Sequence, residues 1–214
     1  IGGSLEQGTD QVAAIWTSSD GRTWTRNEDD PVFAVGKLSE SLEDRLEPGV
    51  RDMATLGGLI VATGFDCGPY FGSICIGAAW VSDDGRSWTR DDPDTFRDLP
   101  HFTTALAARI VTMAYTDRGF TRVYGFDPAG GWALLKDDLG SVQEVVPVDG
   151  GVAVATGDYS GVSDVMTIRF SRDGRTWDDV GTIDSPDVQG KGGGTSLSSG
   201  VSLSDARDGG IRAH

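Results

Sequence analysis

The fold is decided by a ten-residue segment that occurs three times, most clearly as AWVSDDGRSW at residues 79–88. The other two copies are IWTSSDGRTW at residues 15–24 and IRFSRDGRTW at residues 168–177. A weaker copy, VYGFDPAGGW, occupies residues 123–132. The final tryptophans stand at positions 24, 88, 132 and 177, so the segment returns about every 45 residues, with an insertion between the first two copies.

A second element keeps the same period. Residues 54–64 (ATLGGLIVATG) match residues 146–157 (VPVDGGVAVATG), and a looser copy, LAARIVTMA, occupies residues 106–114. Two β-prone runs around a short glycine turn predict a hairpin, which we call strands a and b. Strand c then ends at the serine of the first element and strand d begins at its tryptophan. Four antiparallel strands in a repeat of this length predict an all-β protein built from β-propeller blades.

The repeat also sets the expected organisation of the chain. We expect a partial blade with strands c and d at 1–30, an inserted loop at 31–49, a blade with a disulfide loop at 50–98, a degenerate blade at 99–138, a further blade at 139–184, and a Gly/Ser-rich segment with the start of the next blade at 185–214. Three full blades between two partial ones fit either a small closed ring or a partial propeller. We favour the partial propeller, because a closing blade would lack strand b.

Composition excludes several classes of function. The 214 residues can bury a sizeable core, and 33 acidic against 18 basic side chains give a formal charge of −15. Such a chain repels nucleic acid and anionic membrane surfaces. No apolar run approaches the roughly 18 residues that span a bilayer. Two histidines and two cysteines exclude a zinc site of the usual ligands, so we expect no metal and no cofactor.

The repeated Ser-x-Asp-Gly-Arg-Thr/Ser-Trp pattern resembles the Asp-box, or BNR repeat, of sialidases and related propellers, in a form one residue shorter. The resemblance implies a structural role for these positions, on the face opposite the sialidase active site. The positions are Ser18, Asp20, Gly21, Trp24, Ser82, Asp84, Gly85, Trp88, Ser171, Asp173, Gly174 and Trp177.

Physical chemistry suggests the same role. The carboxylates can accept backbone N–H bonds in the c–d turn, the glycines tolerate positive φ, and the tryptophans can bury a large face between sheets. The weak copy lacks the serine and aspartate, so we expect a hairpin there without this lock. Arg22, Arg86 and Arg175 are interpreted as solvated turn residues, with a ligand role as the alternative.

Function is therefore expected at the other end of the blades, where the b–c and d–a links lie. Two links there are long, and together they suggest a binding face at residues 27–50 and 66–75. The candidate ligand residues are Arg51, Asp52, Asp66, Tyr70, Phe71, His101 and Glu144. Tyr70 and Phe71 can either stack on a sugar ring or cover their own loop.

Two further patterns lie at this end. Cys67 and Cys75 flank one loop, which favours a disulfide and a secreted or cell-surface location over a pair of reduced cytosolic thiols. Aspartate runs follow each strand d, and we interpret them as solvated links; if one calcium site exists, it would use Asp91, Asp92, Asp94 and Asp98.

These observations favour a non-catalytic extracellular recognition or scaffold module that binds a glycan or a protein. The alternative is a fragment of a sialidase-like glycoside hydrolase, which the resemblance would equip with an arginine cluster, a Tyr–Glu pair and an acid. Among the starts of strand a, Arg51 is the one arginine, so this set is incomplete. A third class, an assembly factor for a membrane complex, differs from the first only in the state of the cysteines.

Overall fold

The computed structural model describes residues 2–7, 10–26, 31–33, 47–67, 75–91, 98–157, 165–184, 203–205 and 211–213. Blade 1 contains β1 (Gly2–Gln7), β2 (Asp10–Thr17) and β3 (Thr25–Arg26), followed by a 3-10 turn at Pro31–Phe33. Blade 2 contains β4 (Glu47–Leu56), β5 (Leu59–Cys67), β6 (Cys75–Ser82) and β7 (Thr89–Arg90).

The second half of the chain continues the pattern. Blade 3 contains β8 (Leu99–Leu106), β9 (Arg109–Tyr115), β10 (Thr121–Asp127) and β11 (Gly131–Lys136). Blade 4 contains β12 (Ser141–Val148), β13 (Gly151–Gly157), β14 (Val165–Ser171) and β15 (Asp178–Asp184). A last antiparallel pair joins β16 (Leu203–Asp205) to β17 (Ile211–Ala213).

Within every sheet the strands follow chain order and run antiparallel. The first strands of blades 2 and 3 contact one another, β4 with β8, and β12 of blade 4 contacts β16. Blades 3 and 4 pack through a shared apolar cluster that includes Leu106 and Val142. The sheets therefore stand side by side along their first strands, which is the arrangement of a β-propeller. The predicted all-β fold of four-stranded antiparallel blades is confirmed, and the described residues form three full blades.

Blade 1 differs from the prediction. It has three strands, since β1 pairs with β2 from Gly2 opposite Ile15 to Gln7 opposite Asp10. The expectation of strands c and d alone was wrong. In blade 2 the residues that match the repeat end at Gly64, but β5 continues to Cys67. Strand b of blade 1 is similarly long and covers Gly2–Gln7.

The a–b turns are two-residue turns in all three full blades. In blade 2 the central residues are Gly57 and Gly58, both with positive φ. In blade 4 they are Asp149 and Gly150, because Val148 pairs with Gly151. The turn thus lies one residue earlier than the predicted Gly-Gly pair.

The apolar core lies between the blades. Ile15 of blade 1 packs with Val50, Trp80 and Trp88 of blade 2. The interface of blades 2 and 3 is formed by Ala54, Val61, Ile110 and Phe126, and that of blades 3 and 4 by Leu106, Val111, Met113, Val123, Leu139, Val142, Val152 and Val154. Burial between neighbouring sheets is the main force that holds the propeller together.

The three c–d turns at residues 18–24, 82–88 and 171–177, which we call the Ser-Asp-Gly turns, share one set of hydrogen bonds. In blade 2 the Gly85 N–H donates to Ser82 Oγ at 2.8 Å, and Asp84 Oδ1 accepts from the N–H groups of Arg86 and Ser87 at 2.7 Å each. Equivalent bonds of 2.7–2.9 Å occur in blades 1 and 4. These bonds satisfy the amides of a tight turn that the ladder leaves unpaired.

The electrostatics of the Ser-Asp-Gly turns follow from these bonds. The amides of Thr23 and Arg22 lower the pKa of Asp20 to about 2, and those of Ser87 and Arg86 lower the pKa of Asp84 to about 2. The pKa of Asp173 is lowered mainly by the Thr176 amide. All three side chains are therefore carboxylates near neutral pH.

The tryptophans of these turns are not equally covered. Trp88 and Trp177 pack into the interblade clusters, and their indole N–H groups donate to the carbonyls of Gly85 and Gly174 at 3.2 and 3.1 Å. Trp24 is 42 % exposed. The expectation that all three bury a large face between sheets fails for Trp24, since its turn belongs to the first sheet of the described chain.

The blade 3 turn has a different construction. Its hairpin is tighter, with Asp127 opposite Gly131, and Asp127 Oδ1 accepts from the Ala129 N–H at 2.9 Å. Trp132 packs against the interface of blades 2 and 3. A hairpin without the serine–aspartate pair, placing Trp132 between sheets, is what the sequence predicts.

Candidate functional site

The first strand of every full blade carries a register shift at the same height. In each ladder five residue pairs follow the a–b turn and then one residue is skipped. The skipped residues are Arg51 in β4, His101 in β8 and Gln143 in β12. Such bulges bend a strand and redirect the side chain of the extra residue, and they recur beside binding sites. The propeller thus presents an arginine, a histidine and a glutamine at one level.

Arg51 and His101 form the polar core of this site, together with Tyr115 at the end of β9. The rings of His101 and Tyr115 meet edge to face, with centroids 4.0 Å apart and an interplanar angle of 64°. Burial of His101, assisted by the nearby positive charge of Arg51, lowers its pKa to about 4. The imidazole is therefore neutral at physiological pH and can both donate and accept a hydrogen bond.

Tyr115 holds this cluster against blade 4. Its hydroxyl donates to the carbonyl of Val142, the residue immediately before the β12 bulge. Burial raises the pKa of Tyr115, and the charge of Arg51 opposes that shift in part. The phenol is consequently protonated, and its proton is already used to join two blades.

Asp52 follows Arg51 in β4, and its carboxylate links two strands of the site by hydrogen bonds. Its Oδ2 accepts from the Thr103 N–H at 2.7 Å and its Oδ1 from the Met53 N–H at 2.8 Å. Burial raises the pKa of Asp52, and these two hydrogen bonds counteract the shift. Since one bond crosses from β4 to β8, Asp52 fixes the relative position of the two bulged strands.

Three buried threonine hydroxyls extend this network of hydrogen bonds. Thr103 Oγ1 lies 2.6 Å from Thr63 Oγ1 and 3.1 Å from Thr112 Oγ1, and all three side chains are buried. Hydroxyls can donate and accept in turn, so the chain satisfies its own polar atoms. Buried hydrogen bonds that satisfy one another hold their side chains in fixed positions, which suits a preformed site.

Asp66 is not brought to this cluster. Its side chain is fully buried and forms an ion pair with Arg90, whose guanidinium also lies 5.3 Å from the centre of the Trp80 ring. Burial raises the pKa of Asp66 while Arg90 opposes the shift. The predicted ligand-facing role is therefore wrong for Asp66, which braces blade 2 internally.

The remaining predicted residues divide into two groups. Glu144 follows the β12 bulge and is half-buried, next to Gln143, whose Nε2 donates to Ser141 Oγ at 2.9 Å. Tyr70 and Phe71 lie outside the described residues, as does most of the proposed face at 27–50 and 66–75. Sequence reasoning missed Tyr115, although its place at the end of strand b, level with the strand a candidates, was a usable signal.

The acidic runs do not gather in the described structure. Asp98 accepts from Tyr124 Oη at 2.5 Å and pairs with Arg122, which also pairs with Asp137. Asp91 is described, whereas Asp92 and Asp94 are not. Within the described ranges no three His, Cys, Asp or Glu side chains are placed to hold a metal ion, and no helix there is long and apolar enough to cross a bilayer.

Comparison with known proteins gives distant structural likenesses. No family model matches the chain, and no curated protein matches it. Among solved structures, an Aleuria aurantia lectin variant in complex with Fucα1-6GlcNAc is 13 % identical with a TM-score of 0.45, covering 86 % of this chain and 61 % of the lectin. A candidate glycoside hydrolase from Parabacteroides distasonis is 11 % identical with a TM-score of 0.40, covering 86 % of this chain and 72 % of that protein. This chain therefore spans less than two thirds of the lectin's length.

Proposed function

We propose that this chain is a non-catalytic recognition module that binds a glycan or a protein through the bulged ends of its first strands. The observation that carries the proposal is the alignment of three register shifts, which place Arg51, His101 and Gln143 at one level of three successive blades. One cation, one neutral imidazole and one amide offer directional hydrogen bonds to hydroxyl, carbonyl or carboxylate groups.

The chemistry of the cluster favours binding over hydrolysis. A tyrosine nucleophile requires a lowered pKa or an adjacent base, whereas Tyr115 has a raised pKa and donates to a backbone carbonyl. The alternative sialidase-like function also needs several arginines around a substrate carboxylate, and Arg51 is the arginine that the described cluster supplies. A fluorogenic sialoside assay tests that alternative: release of sialic acid that disappears in Arg51→Ala would establish it.

We also propose a disulfide between Cys67 and Cys75, and with it an extracytoplasmic location. The two residues are direct cross-strand partners at the ends of β5 and β6. That register brings Cα atoms within the range a disulfide needs. Thiol labelling of the native protein before and after reduction tests it, and free reaction of both cysteines without reductant would overturn it.

The binding test is a screen of the purified chain against immobilised glycans and extracellular proteins. Arg51→Gln and His101→Ala should each weaken a true ligand by about tenfold or more, since each removes one directional bond from a preformed site. Arg118→Gln, an exposed arginine between β9 and β10, is the matched control and should bind as the parent does. Binding that survives both site variants would refute this location.

The screen has a characteristic pH response. Because the pKa of His101 is about 4, the imidazole stays neutral between pH 8 and about pH 5, and binding should be constant over that window. Affinity should change only as the pH falls toward 4, and His101→Gln should remove that change. A transition near pH 6.5 would show that His101 is not in the environment described here.

A further inference from the structure

A second polar cleft lies between blades 1 and 2, at the end of the propeller that carries the Ser-Asp-Gly turns. Its volume is about 470 Å³, within the range of small-molecule sites (roughly 300–1,000 Å³). The cleft is lined by five hydroxyl-bearing residues, two arginines and one aspartate: Thr17, Ser18, Ser19, Thr23, Thr25, Arg26, Asp84 and Arg86. It shares none of these residues with the Arg51–His101 cluster.

Arg26 distinguishes this cleft from an ordinary groove between turns. Trp16 pairs with Arg26 in blade 1 exactly as Trp80 pairs with Arg90 in blade 2, so the two arginines are equivalent. Arg90 pairs with the buried Asp66 through Nη2, although its Nε and Nη1 have no hydrogen-bond partner within the described ranges. Among the described residues the Arg26 guanidinium has no carboxylate partner, and its buried Nε has no acceptor.

The ladder explains why the acid is missing in blade 1. Asp66 stands opposite Ile76, four residues before Trp80. The equivalent position, opposite Val12 and four residues before Trp16, is Leu5. Leucine cannot accept a hydrogen bond, so the described part of blade 1 offers the Arg26 guanidinium no carboxylate equivalent to Asp66. A guanidinium is matched by a planar, bidentate anion.

The other walls define what accompanies that anion. Thr17, Ser18, Thr23 and Thr25 supply short polar side chains of the kind that bind sugar hydroxyls, and the Asp84 carboxylate already accepts hydrogen bonds from the amides of its own turn. The chain as a whole carries a charge of −15, so an extended polyanion is repelled and a single charge in a confined site is tolerated.

We propose that this cleft binds the carboxylate of a uronic acid, with Arg26 and Arg86 facing the carboxylate and the threonines facing the ring hydroxyls. The site is independent of the proposed function at the opposite end.

The test is an amide chemical-shift titration of the isotope-labelled full chain with D-glucuronate, with D-glucose and inorganic sulfate as parallel titrants. Glucuronate should shift the amides of Thr23, Thr25 and Arg86 and leave those of Arg51 and His101 in place. Glucose, which lacks the carboxylate, should bind at least roughly tenfold more weakly, as loss of one charge-assisted bond implies. Equal binding of glucose, or shifts with sulfate but not with glucuronate, would overturn the proposal.

Variants separate recognition from folding. Arg26→Gln should weaken glucuronate by about tenfold or more, and Leu5→Asp should do the same by supplying the acid that blade 2 already has. Arg175→Gln, at the blade 4 position equivalent to Arg86, should leave the affinity unchanged. If Arg26→Gln and Leu5→Asp retain the blade 4 amide spectrum and still bind as the parent does, the assignment to this cleft is wrong.

Discussion

The Ser-Asp-Gly turns of blades 1 and 2 have the same internal bonds and very different surroundings. In blade 1 the turn amides donate to Asp20 at 2.7–2.8 Å, and in blade 2 to Asp84 at 2.7 Å. Yet Trp24 is 42 % exposed, whereas Trp88 is 7 % exposed. The comparison shows that the hydrogen-bond lock is a local property of seven residues, while burial is supplied by the neighbouring blade.

The glycines of the two turns show the same contrast. A Cβ on Gly85 would lie 3.3 Å from Ile60 and 3.5 Å from Thr17 of blade 1. A Cβ on Gly174 in blade 4 would lie 2.9 Å from Leu135 of blade 3, and one on Gly21 would meet no described atom within 4 Å. Each covered turn therefore packs against the preceding blade, and the turn of blade 1 lacks that contact among the described residues.

The largest expected effect separates the two tryptophans. Trp88→Ala opens a cavity between blades 1 and 2 and should lower the free energy of unfolding by about 3–5 kcal/mol. Trp24→Ala removes a partly solvated ring and should cost about 1 kcal/mol. Urea denaturation followed by circular dichroism measures both, and equal losses would mean that the blade 1 turn is covered in solution.

The next effect separates the glycines. Gly21→Ala places a Cβ at φ 69° and should cost about 1–2 kcal/mol from backbone strain alone. Gly174→Ala has a similar φ of 75° and adds a clash with Leu135, so its cost should reach roughly 2–5 kcal/mol. Thermal melts of the two variants provide the comparison, and an equal loss in both would contradict the interblade contact at Gly174.

The turns also show which parts of the molecule can be predicted from sequence. Four fixed residue types at a constant spacing determine a local hydrogen-bond pattern, so the lock around Asp84 could be predicted from the chain alone. The hairpin at Trp132, which lacks the serine and aspartate, could be predicted from the period of the repeat. The exposure of Trp24 could not be predicted from the sequence, because the burial of this ring depends on which sheet packs beside it. Burial between sheets is a property of assembly, and identical segments differ in it.

In the candidate site, too, some features could be predicted from the sequence and others could not. Arg51 and His101 were found because strand a could be located by its period. The bulges that align them were not predicted, since a register shift depends on how two strands pair and leaves no mark in a single strand. Asp66 was misassigned for a related reason. Its partner Arg90 lies two strands away, and the sequence alone does not show whether an acidic residue at the end of a strand forms an ion pair.

The smallest expected effect tests whether the lock is as local as its geometry indicates. The folded-state pKa values of Asp20 and Asp84 are about 2, below the ordinary value of 3.8 that applies to the unfolded chain. Each carboxylate therefore stabilises the fold fully above about pH 4, and that contribution disappears as the pH falls toward 2. Asp20→Asn and Asp84→Asn should each lower the melting temperature by a few degrees at pH 6. On acidification the melting temperature of each variant should fall by less than that of the parent.

Because the bonds are internal to each turn, the two variants should match each other despite the different burial of their tryptophans. Melting temperatures between pH 6 and pH 2.5 measure this, with Asp83→Asn, the exposed neighbour in the blade 2 turn, as a control that should follow the parent. A much larger acid response at Asp84 than at Asp20 would show that the neighbouring blade strengthens the lock. The hydrogen bonds of the turn and the burial of its tryptophan would then be coupled, and they would not contribute independently to stability.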